Sequence, residues 1–223
     1  MILSAILEPS DVMLKNIVLI RDPDCNIYLV DQEILIDTGT GAHFPEIKKF
    51  IETNSDISKI KTIINTHCHY DHTGGDKKFR DWLGADILIH KNDADALEHA
   101  TEAVVADVFG ENARAITVNR ILKNNDIINT KNFSLKVIHA PGHTSGSICL
   151  YDKNNNFMIT GDTLFADAFG RTDLPSGSEK QMKASLEKIL SINPKHILPG
   201  HGKPKTNGID FLIKQLLNKI DET

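Results

Sequence analysis

The chain has 223 residues, 40 % hydrophobic and 25 % charged, with a formal net charge of -5. That length buries a sizeable core, and residues 1–223 are read as one domain. The acidic balance without lysine runs argues against a nucleic-acid surface, and no apolar run reaches the ~20 residues of a membrane helix. Met1–Glu8 lacks the basic start and long apolar stretch of a secretory leader, so a cytoplasmic protein is expected.

The first forty residues read as a β-meander over 15–20, 26–30 and 33–36, broken by Asp22-Pro23-Asp24 and Asp31-Gln32. Asp37-Thr38-Gly39 ends the third run, with Asp37 as its turn residue. Pro45 opens a helix to about Asn54, and His43 before it is read as a surface or capping residue. A β-branched strand over 61–66 leads into Thr66-His67-Cys68-His69-Tyr70-Asp71-His72-Thr73-Gly74-Gly75. A helix over 76–83, a strand over 86–90 and a helix from Asn92 to about Ala100 follow. Residues 101–116 mix apolar residues with Gly110 and Asn112 and are expected to form a partly mobile lid over the metals. Strands are then predicted over 117–122, 126–129, 133–140, 147–151 and 157–160. Ser178 with Gln181 forms a capping box for a helix whose core stripe is Met182, Leu186, Ile189 and Leu190. After Pro194 a strand over 195–198 precedes an amphipathic helix bearing Ile209, Leu212, Ile213, Leu216, Leu217 and Ile220.

Three imidazoles and a carboxylate within six positions point to metal rather than to a solvated loop. If the extended alternation continues, His67, His69 and Asp71 face one side, and Cys68 and Tyr70 the other. One ion takes three or four protein ligands, so four donors here and more downstream suggest two ions. Cys25, Cys68 and Cys149 are too few and too far apart for a disulfide framework, and each is read as a packing residue.

The stretch from Thr66 to Gly75 resembles the signature of the metallo-β-lactamase superfamily. Four further segments follow the family's order: Leu35–Gly39, Ala140–Thr144, Thr160–Thr163 and Leu198–Gly202. The resemblance implies a four-layered αββα sandwich with metal donors on loops at one edge. It implies that His67, His69 and His143 hold one divalent cation and Asp71, His72 and His201 another, with Asp162 bridging. Zinc is the first expectation, with iron or manganese as alternatives. Asp37 is then either a plain turn residue or the group that orients a ligand from beneath. His90, His99, His139 and His196 are read as strand or helix residues, with an orienting role left open for His139 and His196.

Gly161–Pro175 resembles the glyoxalase II-like branch, which carries Gly-Asp-Thr-Leu-Phe and often Gly-Arg-Thr-Asp. In this stretch Phe165 and Arg171 are expected to face a small-molecule substrate. Arg171 would either clamp a carboxylate or pair with Asp173. Only 22 residues follow His201, so the resemblance covers the hydrolytic centre and not the helical domain that supplies the glutathione surface.

The expected reaction is thioester hydrolysis by a hydroxide held between the metals, because two ions lower the pKa of a water toward about 7. A thiolate leaves without a strong acid. Asp71 is read as a ligand first and a proton relay second. Alternatives are a persulfide dioxygenase with one iron at His67, His143 and Asp162, a lactonase, and a non-enzymatic metal-binding module.

Overall fold

The computed structural model describes residues 4–6 and 15–222, the first three by backbone alone. The leader segment considered above therefore lies mostly outside the described residues.

Among the described residues, twelve strands form two sheets. The first runs in the order β1 (Ser4–Ile6), β2 (Ile17–Arg21), β3 (Asn26–Val30), β4 (Ile34–Ile36), β5 (Thr62–Ile64), β6 (Asp86–His90), β7 (Arg120–Leu122). Its first four strands are antiparallel and its last four pair in parallel. The second runs β12 (His196–Pro199), β11 (Phe157–Gly161), β10 (Ile148–Asp152), β9 (Ser134–His139), β8 (Ile127–Asn129). Only its β11–β12 pair is parallel.

Side chains alternate across each strand, so each sheet presents two faces to be covered. Tyr28, Ile36, Ile64 and Leu88 from the first sheet meet Val137, Leu150, Phe157 and Leu198 from the second in one buried layer. The outer face of the first sheet packs against α1 (Phe44–Asn54) and α3 (Asp76–Leu83) through Ile47, Ile51, Phe79 and Leu83. That of the second packs against α5 (Glu179–Ile192) and α6 (Ile209–Asp221) through Met182, Leu186, Ile189, Ile213 and Leu216. The result is helix, sheet, sheet, helix, the expected four-layered α/β sandwich.

Local chemistry explains the element ends. Ser178 Oγ accepts from Gln181 N and caps α5. Gly84 ends α3 at a φ of 61°, which glycine adopts without cost. The three thiols are buried, Cys68 beside Ile89, Ala94 and Val104. Burial raises the pKa of each, that of Cys149 to about 12, which disfavours the reactive thiolate and agrees with a packing role.

Two local expectations are corrected. The strand into the histidine motif ends at Ile64, and the chain coils at α2 (Tyr70–Thr73) instead of staying extended to Asp71. Strand pairing in the third quarter begins only at Arg120. Residues 101–116 contain two 3-10 turns, 102–104 and 106–109, with Val104, Val105, Ala106 and Ile116 buried and Asp107–Glu111 exposed. Meanwhile His43 stands at the start of α1 without a side-chain capping bond, its Nδ1 2.8 Å from Asp22 Oδ1.

Candidate metal centre

Every donor segment leaves the carboxyl end of a strand: Asp37 after β4, His67–His72 after β5, His143 after β9, Asp162 after β11 and His201 after β12. Backbone bonds draw these ends together. Ile148 N donates to Thr66 O at 2.9 Å and Gly200 N to Gly161 O at 2.8 Å. A register shift where β11 pairs with β12, between Ile159 and Gly161, immediately precedes Asp162. Such a bulge re-aims the chain at the end of a ladder.

The seven expected donors meet in overlapping groups: His67, His69 and His143; His67, His72 and Asp162; Asp71, His72 and His201, each with ligand atoms within 4.8 Å of one another. Asp162 lies between them, Oδ1 3.3 Å from His72 Nε2, and Oδ2 3.5 Å from His143 Nε2 and 3.3 Å from His201 Nε2. Asp71 Oδ2 is 3.2 Å from His201 Nε2 and 3.6 Å from His72 Nε2. Donors at about 2.0–2.2 Å around a tetrahedral ion are roughly 3.3–3.5 Å apart, so the spacing suits coordination.

Outer partners settle which ring nitrogen faces inward. Asp37 Oδ2 lies 2.8 Å from His72 Nδ1, and Arg171 O 2.7 Å from His143 Nδ1. A carboxylate and a carbonyl only accept, so both Nδ1 atoms donate and both Nε2 atoms turn lone pairs inward. Thr66 Oγ1 donates to Asp37 Oδ2 at 2.8 Å, which leaves it able to accept from His67 Nδ1 at 3.0 Å. The buried His67 Nε2, His69 Nε2 and Asp162 Oδ1 have no hydrogen bond of their own. Buried polar atoms rarely go unsatisfied, and cations in this cage would complete them. The residues present fit two ions.

The electrostatics agree. Burial, with His72, His69 and His143 nearby, holds His67 well below the ordinary imidazole value, and burial with His143 brings His69 down to about 3. Burial also opposes a charge on His72 and His201, but Asp162 with Asp37 and Asp71 outweighs it at His72, and Asp162 with Asp71 lifts His201 to about 9. Asp162 stays far below the carboxylate range because His72 and His201 overcome its burial. The cage thus draws positive charge inward.

The sequence profile of the Metallo-beta-lactamase superfamily matches residues 20–201. The chain belongs to the metallo-β-lactamase superfamily. Within it, the chain is 36 % identical over 185 residues to a protein of Methanocaldococcus jannaschii named "Probable metallo-hydrolase MJ0888", covering 80 % of this chain and 87 % of that one. It is 35 % identical over 149 residues to a protein of Pelagibacter ubique named "Hydroxyacylglutathione hydrolase", covering 66 % of this chain and 54 % of that one. Among solved structures, TTHA1623 in a di-iron-bound form superposes with a TM-score of 0.72 at 29 % identity, covering 86 % of this chain and 94 % of that one.

In this superfamily member, a cleft of about 300 Å³ opens over the donors. Phe165 lines it and meets the His201 ring edge-on at 5.9 Å. Arg171 lines it too, but its guanidinium is engaged, Nε and Nη2 donating to Asp173 at 2.8 and 2.7 Å. The internal pair, one of the two roles expected for Arg171, is present. Asp37 sits where orientation of a ligand requires, also accepting from Thr66 N at 2.8 Å through Oδ1.

Sequence reasoning passed over three contributors. Thr66 relays Asp37 to His67, and the Arg171 carbonyl orients His143. Asp93, buried in the first turn of α4 (Lys91–His99), accepts from Cys68 N, Gly146 N and Thr144 Oγ1 at 3.0, 2.6 and 2.6 Å. His139 Nε2 donates to Ser145 O at 3.0 Å and supports the His143 loop, its ring stacked on His90 at 4.0 Å.

Proposed function

We propose that the protein is a metal-dependent hydrolase that cleaves acyl thioesters in the manner of the glyoxalase II-like enzymes. The observation that carries this reading is a complete dinuclear donor cage under a cleft with no strong proton donor. His67, His69 and His143 would hold one divalent cation, Asp71, His72 and His201 the other, and Asp162 both. Imidazole and carboxylate together suit zinc, and equally accommodate iron or manganese. Two bound cations supply Lewis acidity and lower the pKa of a water toward about 7.

The chain's own part is to hold and exclude. Asp37 and Thr66 keep His72 and His67 in the ligating tautomer, and the Arg171 carbonyl does so for His143. Burial opposes a charge on Asp71, but His72 and His201 outweigh it and hold its carboxyl below the usual carboxylate range, which suits it to ligate a cation first and to relay a proton only second. Phe165 and Leu174 keep water from one wall.

The leaving group follows from what the cleft omits. Among the described lining residues there is no Lys, Tyr, Cys or Glu, and the remaining acids and imidazoles are candidate ligands. An amide nitrogen needs protonation to leave, whereas a thiol of pKa near 8.5 departs as thiolate. The likeness to the Pelagibacter ubique protein supports the same choice.

Quantitative metal analysis of freshly purified protein, paired with S-lactoylglutathione hydrolysis, tests the reading. Two cations per chain with thioester cleavage are expected. A single iron with oxygen uptake on glutathione persulfide would replace it with a dioxygenase, and preferential opening of acyl-homoserine lactones with a lactonase. Metal binding without turnover on any of these would leave a binding module.

A further inference from the structure

Beyond the donors and Gly170, the cleft over the metal centre is walled by Val105, Val108, Phe109, Phe165, Leu174 and Arg171. Five of these six are apolar. Recognition of a 2-hydroxyl or of glutathione carboxylates needs buried polar partners or a free cation on the wall. Among the described lining residues Arg171 is the one guanidinium, and its exposed fork onto Asp173 competes with any ligand carboxylate.

We infer that this cleft is an acyl slot and that the substrate carries an apolar chain of about four to eight carbons, an inference resting on the hydrolase reading above. Val108 and Phe109 are 61 % and 41 % exposed, apolar surface that a chain in the cleft would cover. Their placement is built rather than incidental. Val105 joins the two 3-10 turns at a φ of 51°, a left-handed conformation that a β-branched residue rarely adopts, and the second turn then carries Val108 and Phe109 to the cleft. Behind them Phe109 leans on Tyr70 with ring centroids 6.0 Å apart, so the wall is braced by the helix that supplies Asp71 and His72. The cleft's volume of about 300 Å³ matches roughly ten water-sized groups, enough for an eight-carbon chain.

The test uses the metal-loaded protein and two readouts. In turnover, acetyl, butyryl, hexanoyl and octanoyl thioesters of N-acetylcysteamine are compared with S-lactoylglutathione. Each methylene buried should raise kcat/KM about fourfold. In binding, calorimetry with acetate, hexanoate and octanoate should show the same dependence on chain length. Val108→Asp and Phe109→Ser, both at exposed positions, should lower the octanoyl-to-acetyl ratio at least tenfold and weaken octanoate binding. Rising carboxylate affinity without thioester turnover would keep the slot and remove the hydrolase reading. Turnover with a flat chain-length series, a preference for S-lactoylglutathione over octanoyl thioester, or octanoate binding untouched by both substitutions would overturn the slot.

Discussion

Asp37 concentrates more positional responsibility than any ligand, since one carboxylate receives the His72 ring, the Thr66 amide and the Thr66 hydroxyl. Removing such an outer partner typically costs 10–100-fold in metal affinity. Asp37→Ala should therefore show that loss in a competitive chelator titration, while Asp37→Asn, which keeps one acceptor, should lose less. Gly200 is constrained by space. A Cβ there would stand 2.2 Å from Asp162 Oδ1 and 2.8 Å from His72 Cε1. Gly200→Ala should displace the shared carboxylate, and metal analysis should find fewer than two equivalents. His67, His69, Asp71 and His72 were readable in the sequence because imidazoles and carboxylates packed this densely have few other uses, whereas His143, Asp162 and His201, far apart in the chain, were placed only by the family resemblance. Thr66 and the Arg171 carbonyl were not, because an ordinary threonine and a backbone oxygen carry no compositional mark.

Elements with strong periodicity, such as α3, α5, α6 and β3, are where residue patterns place them. The error in the histidine motif has a local cause. Two bonds to the His69 carbonyl, from His72 N and Thr73 N, close a helical turn at once after the extended His69. A turn of helix lets neighbouring Asp71 and His72 both face His201, which strand alternation would forbid. The first turn of α4 hides a second case, because an acidic residue there reads as a routine partner of the helix dipole. Asp93 instead ties the Cys68 backbone to the Thr144–Gly146 loop, and so joins two donor segments. Asp93→Ala strands two buried amides, each worth about 1–3 kcal/mol when unsatisfied. Urea unfolding should register a loss of roughly 2–6 kcal/mol, with weaker metal retention at His67, His69 and His143.

At the scale of the whole molecule, the order of strands was beyond sequence reasoning, since nothing in a β-branched run states its neighbour. The molecule's acid limit has a traceable component. Burial, with the stacked His139, brings His90 down to about 4 from its ordinary 6.5. The folded protein then binds fewer protons than the unfolded chain between those values. The stabilisation is complete above pH 6.5 and is lost as pH falls toward 4, by about 1–3 kcal/mol. His90→Phe should flatten that decline when unfolding midpoints at pH 7.5 and 4.5 are compared. A last consequence comes from β3, whose Asn26 side chain donates to Pro199 O and Gly202 O and whose Tyr28 hydroxyl donates to Pro199 O. One of the earliest strands thus grips the segment that delivers His201, 171 positions later at its nearest side-chain bond. During synthesis the donor group of Asp71, His72 and His201 would therefore be complete only after β12 has left the ribosome. A chain stopped before β12 should retain at most one equivalent of metal on gel filtration, which would make full loading a signature that the first sheet has closed onto the last strand of the second.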